Sequence, residues 1–154
     1  VGDVKTLLDT PMKMILGLKG TQYCNDVRLE VFVNQKLISQ TTSTTEEFIT
    51  EINLPETPAT HVVEICMSGK NETHTVVDDH GNILSDIAFV VETLKIQDID
   101  MKPVFCQGRK CYFHTGNNPT GDLIQDEMYD YIGWNGKVQL EFFTPIYLWM
   151  SDYF

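Results

Sequence analysis

Val27-Arg28-Leu29-Glu30-Val31-Phe32-Val33 decides the fold class, because its odd positions are apolar and Arg28 and Glu30 fall between them. Successive side chains of an extended chain point to opposite sides, so the run offers one face to a core and the other to water. Phe32 interrupts the polar face once. Asn34-Gln35 reads as a turn, and Lys36 to Gln40 as the strand it leads into.

Further along, Glu47 to Ile52 alternates more weakly, with Ile49 sharing the acidic face of Glu47 and Glu51. His61-Val62-Val63-Glu64-Ile65-Cys66-Met67 sits between the proline-rich Leu54-Pro55-Glu56-Thr57-Pro58 and the turn Ser68-Gly69-Lys70-Asn71. The longest run, Ile87 to Ile96, begins almost wholly apolar and then alternates, as a central strand emerging toward solvent does. Val104 to Cys106 and Lys110 to His114 flank Gln107-Gly108-Arg109 as a hairpin, and Asn135-Gly136 predicts another between Tyr131 to Trp134 and Val138 to Phe142. Helical spacing of apolar residues is almost absent. The expectation is an all-β chain: one antiparallel, jelly-roll-like β-sandwich over residues 12–154, preceded by an N-terminal arm over residues 1–11.

A chain of 154 residues fits one domain and buries roughly 70% of its unfolded surface without a staple. Lys and Arg total 11 against 22 for Asp and Glu, a formal charge of −11 and the wrong sign for a phosphate-backbone binder. No apolar run approaches the roughly 20 residues of a membrane-spanning helix, so neither nucleic acid nor membrane is expected as partner. The start Val1-Gly2-Asp3-Val4-Lys5 does not read as a signal peptide, and synthesis in a cytoplasm is expected. Cys24, Cys66, Cys106 and Cys111 form no C-x-x-C pair and are read as mostly free thiols.

Three constellations are candidates for chemistry. In Asp78-Asp79-His80-Gly81-Asn82-Ile83-Leu84-Ser85-Asp86, the side chains of Asp78, Asp79, Asn82 and Asp86 are hard oxygen ligands of the kind calcium takes, although no EF-hand spacing is present. The same residues equally describe a turn whose Asp and Asn cap backbone groups, and Asp98-Ile99-Asp100 either completes a cation site or ends a strand. Cys106, Cys111 and His114 supply three soft or borderline ligands, or a strand pair with packed thiols. The aromatic end, Phe142 to Phe154, reads either as a last core strand or as an interface in which Tyr147, Trp149, Tyr153 and Phe154 anchor another subunit. No Gly-x-Ser-x-Gly elbow exists, and His61, His74, His80 and His114 are scattered, so no catalytic residue is expected.

Two segments carry a resemblance: Ser68-Gly69-Lys70 followed by His74-Thr75, Asp78, Gly81-Asn82-Ile83 and Asp86, and Gly133-Trp134-Asn135-Gly136 leading to Thr144-Pro145-Ile146-Tyr147-Leu148-Trp149. In these the chain resembles uncharacterised virion structural proteins of tailed, contractile-tail bacteriophages of the cyanophage kind. The resemblance implies a non-enzymatic sandwich subunit of a virion, in a head decoration, neck, tail or baseplate position. Its partners would be other virion proteins or further copies of itself.

A looser likeness is to calcium-dependent xylan-binding modules, although the Asn and Asp cluster running into an Arg-Asn-Leu strand is missing here. It implies the alternative, a calcium-assisted carbohydrate-binding module for a host surface glycan. Tyr112, Tyr129 and Trp134 would then form the sugar platform.

Overall fold

The computed structural model describes residues 12–55, 57–116 and 120–153, so the expected arm at 1–11 and Phe154 lie outside the described residues. The strands are β1 (Met12–Gly20), β2 (Cys24–Val33), β3 (Lys36–Ser43), β4 (Phe48–Leu54), β5 (Ala59–Ser68), β6 (Thr75–Val77), β7 (Ile83–Asp86), β8 (Phe89–Ile96), β9 (Ile99–Asp100), β10 (Arg109–His114), β11 (Ile124–Met128), β12 (Tyr131–Ile132) and β13 (Gly136–Thr144). A short helix α1 (Lys102–Phe105) and a C-terminal helix α2 (Ile146–Tyr153) interrupt this all-β pattern, with a 3-10 turn at Glu72–His74.

One sheet runs β12-β8-β1-β4, with β9 beside the far end of β8, a second runs β11-β10-β13-β5-β2-β3, and β6 and β7 form a separate two-stranded sheet. Every pairing is antiparallel. Met12, Met14, Leu16 and Leu18 of β1 and Val27, Leu29, Val31 and Val33 of β2 meet in a single buried cluster that contains residues from both sheets. The alternation in β2 is therefore the sandwich seen from one strand. Phe32 sits at a register shift where β2 pairs with β3, which accommodates its break in the polar face. Asn34 and Gln35 both take positive φ, 49° and 70°, giving the tight β2–β3 reversal that matches the strand twist. Ile49 is exposed on the acidic face of β4, while Thr50, Ile52 and Leu54 point inward.

Three expectations are corrected. The Asn135-Gly136 pair does not join two partners in one sheet, because Tyr131 and Ile132 pair with β8 and β13 pairs with β5 and β10. The chain instead crosses from one sheet to the other at this point. Gly136 is required by close approach, since a Cβ there would lie 2.1 Å from the carbonyl oxygen of Phe113. Second, Val104 to Phe105 is helical rather than a strand, with Pro103 in the first turn, where its fixed φ and missing N–H are tolerated. Cys106 and Cys111 are still buried free thiols, pushed up by burial to about 12 and about 11. Third, the aromatic end is not a continuous strand: Pro145 has no N–H for the ladder, β13 stops at Thr144, and the chain folds into α2.

Trp149 on α2 faces the core, stacked on Phe105 at 5.4 Å between ring centroids and edge-on to Phe142 at 6.4 Å. The Arg109 guanidinium lies 5.4 Å from the same indole. Tyr147 and Leu148 are exposed on the opposite side of the helix. Among the described residues, no helix is long and apolar enough to cross a membrane.

Trp149→Ala removes a buried aromatic from the Phe105, Phe142 and Trp149 cluster, and the expected loss is about 3 to 5 kcal/mol of unfolding free energy in urea titration. A loss below about 1 kcal/mol would mean the helix packs against the sandwich without contributing to its stability.

Candidate ligand-binding cleft

At the place where the chain crosses between sheets, a cleft of ≈ 540 Å³ opens. Its walls come from the turn after β5 (Lys70, Asn71, Glu72), the base of the β6–β7 hairpin (Thr75, Ile83, Asp86), the end of β10 (Tyr112, Thr115) and the crossing segment (Tyr131, Gly133, Trp134, Asn135). The volume lies in the range typical of small-ligand sites.

Asp86 is the hub of this cleft. One of its carboxylate oxygens accepts from Lys70 Nζ at 2.6 Å and Thr75 Oγ1 at 2.6 Å, and the other accepts from Tyr131 OH at 2.6 Å. Burial alone pushes the Asp86 carboxyl upward, but these hydrogen bonds and the Lys70 charge outweigh it and hold the group below the usual carboxylate range. Tyr131 is pushed well above the usual phenol value, first by burial and then by the carboxylate it donates to.

Lys70 is fixed from several sides. Its ammonium also donates to the Gly133 carbonyl at 2.6 Å, and its side chain is only 9% exposed. Asn135 brackets its main chain, accepting from Lys70 N at 3.0 Å and donating to Lys70 O at 2.7 Å, as a neighbouring strand would. Gly69 permits this path: its φ is +84° and a Cβ would lie 2.0 Å from the Asp26 carbonyl oxygen.

The opposite wall is aromatic. Tyr112 OH donates to the Trp134 carbonyl at 3.0 Å and accepts from Trp134 N at 3.0 Å, which pins the main chain of the crossing segment. The Trp134 side chain stacks on the His114 imidazole at 4.6 Å with 15° between planes. His114 is itself oriented: Nδ1 accepts from Gly116 N at 2.9 Å, so Nε2 carries the proton and donates to Asp126 at 2.9 Å. That hydrogen bond lowers the Asp126 carboxyl from its ordinary value. Trp134 and Tyr131 remain 40% and 44% exposed, so their rings are available beside the cleft.

The residues named from sequence separate into groups. Tyr112 and Trp134 line the cleft together, whereas Tyr129 is outside its lining and donates to Glu127 at 2.8 Å. Asp86 lies at the base of the hairpin opposite Thr75, while Asp78 and Asn82 form its tip, about 10 Å away at the rise of an extended chain. Asp78 accepts from His80 N, Asn82 N and Asn82 Nδ2, which is the capping reading of that turn, and Asp79 is exposed. The four proposed calcium ligands therefore do not converge on one point. Of the interface residues, Tyr147 is exposed and Trp149 buried, Tyr153 ends α2, and Phe154 is outside the described residues.

Ligand atoms of Cys24, Asp26 and His74 come within 4.8 Å of one another, a geometry that suggests a metal. The thiol and imidazole are not calcium's ligands. His74 Nδ1 accepts from Asn71 N at 2.9 Å, so Nε2 carries the proton toward Asp26 and has no lone pair for a borderline metal. Lys70 and Tyr131 were not singled out from sequence. A lysine in a turn and a tyrosine in a short strand carry no local signal, and only the crossing brings them to Asp86.

No protein family matches the chain, and no curated protein matches it. Among solved structures, the selenomethionine form of vCBM60, from work linking two families of calcium-dependent carbohydrate binding modules by circular permutation, superposes with a TM-score of 0.48 and 9% identity over 83% of this chain and 88% of that one. A second, vCBM60 in complex with galactobiose, superposes with a TM-score of 0.44 and 11% identity over 82% of this chain and 95% of that one. Both are distant superpositions.

Asp86→Ala leaves the Lys70 ammonium enclosed without its carboxylate and is expected to cost about 3 kcal/mol in denaturant titration. Because the folded Asp86 carboxyl is more acidic than the unfolded one, its contribution is complete above the unfolded value of about 3.9 and is lost as pH falls through the folded value. The wild-type minus Asp86→Ala stability difference should therefore shrink below about pH 4, and a difference that grows in acid would contradict the network.

Proposed function

We propose that this chain is a carbohydrate-binding module and that the cleft between Lys70, Asp86, Tyr131 and Trp134 is its sugar site. The observation that carries the reading is the pairing of two half-exposed aromatic rings with a charge pair that is neutralised inside the protein. A pyranose has C–H faces that pack on aromatic rings and hydroxyls that both donate and accept. A neutral polyol satisfies such a cleft. Asn71, Thr75 and Thr115 add uncharged polar groups to the same walls.

The aromatic wall is also built to stay in place. Trp134 is stacked on an imidazole whose two nitrogens are both bonded, so little ordering remains to be done when a ligand arrives. Binding should be tested on an array of neutral oligosaccharides and followed by calorimetry of the hits. Trp134→Ala is expected to weaken affinity at least tenfold, about 1.4 kcal/mol, with the melting temperature recorded alongside. If no neutral glycan binds the wild-type protein, the reading is overturned.

A second reading, a structural subunit of a bacteriophage virion, draws on a different surface. Tyr147 and Leu148 of α2 are 61% and 50% exposed, and Val76, Val77 and Leu84 are exposed on the β6–β7 hairpin. Contact with neighbouring copies or with other virion proteins would cover them. Light scattering across a concentration series tests self-assembly: association that Tyr147→Ser with Leu148→Ser abolishes supports it, and a monomer throughout removes that form of it.

A further inference from the structure

We infer that the Lys70 ammonium, rather than a bound divalent cation, orients a sugar's hydroxyls in this cleft. The inference rests on the glycan reading and deepens it.

An ammonium has three N–H groups, and Lys70 uses one on Asp86 and one on the Gly133 carbonyl, leaving one among the described residues. A carboxylate has about four acceptor positions, and Asp86 fills three with Lys70, Thr75 and Tyr131. One donor and one acceptor therefore remain on adjacent groups that both line the cleft. A hydroxyl that accepts from Lys70 and donates to Asp86 matches this pair, as do two neighbouring hydroxyls that share the tasks.

A calcium ion does not fit the same place. It takes six to eight oxygens, and the other sequence candidates, Asp78 and Asn82, bond each other at the far tip of the hairpin. An ion on Asp86 would also face the ammonium that already bonds that carboxylate at 2.6 Å. Displacing Lys70 would strand its charge in a position only 9% exposed and release the Gly133 carbonyl as well. Lys70 is also held by its main chain through both ends of the Asn135 amide, so the ammonium has a short tether from a fixed point.

The deciding experiment titrates neutral oligosaccharide hits into wild-type protein, once in excess EDTA and once in millimolar calcium. Affinity in the two buffers is expected to agree within twofold. Lys70→Met is expected to lower it tenfold or more, and Lys70→Arg to restore part of the loss, with circular dichroism confirming that each variant is folded. Because Lys70→Met removes a partner from Asp86 and its fold is at risk, the wild-type Lys70 ammonium resonance is followed by NMR during the same titration and is expected to shift.

Binding that disappears in EDTA and returns with calcium overturns the inference while leaving the glycan reading intact. Unchanged affinity in folded Lys70→Met, or an unmoved Lys70 resonance at saturation, overturns it likewise. An array with no hits overturns both.

Discussion

The chain has to pass from one sheet to the other between Ile132 and Gly136, and the cleft is a consequence of how that passage is held. The segment has no ladder partners of its own. The Asn135 carbonyl accepts from Thr115 N at 3.1 Å, and side chains meet other main-chain groups: Tyr112 binds both N–H and C=O of Trp134, and Lys70 takes the Gly133 carbonyl. Asn135 in turn clamps the turn that carries Lys70. Polar main chain away from water needs such partners. Supplying them from β10 and the turn after β5 draws aromatic and charged residues into one place.

A partly buried ion pair is a poor way to gain stability, since the cost of dehydrating two charges consumes most of their attraction. Lys70 and Asp86 make sense as an orienting device. The pair is completed by Thr75 and Tyr131, so the carboxylate is spread over three donors from three elements. The net charge of −11 makes a fixed cation facing a cleft unusual for this protein. Paired with Asp86 at 2.6 Å, it presents the cleft with a charge already balanced within the protein.

The two ends of the aromatic argument separate cleanly in space. The C-terminal helix spends Trp149 on the core through Phe105 and Phe142, leaving Tyr147 and Leu148 to face outward. The cleft uses Trp134 and Tyr131 at the sheet crossing. The proposed ligand and assembly surfaces therefore rest on different side chains.

The sequence by itself determined the class of the fold. Alternation in Val27 to Val33 is a consequence of the pleat, and the same period, weaker in Glu47 to Ile52 and again in His61 to Met67, leaves antiparallel sheets with one buried face as the consistent solution. It also identified Tyr112, Trp134 and Asp86 as polar or aromatic residues of interest, because residue type is visible locally. It misread Asn135-Gly136, Val104 to Cys106 and the aromatic end, where local turn and strand signals are the same whether the chain returns to its own sheet, leaves for the other one or turns into a helix. Tertiary structure alone decided that Lys70 meets Asp86, that Asp86 and Asp78 stand at opposite ends of a hairpin, and that Trp134 rests on His114. Those contacts join residues far apart in the chain, and their energies depend on distance and burial, which no run of neighbouring residues encodes.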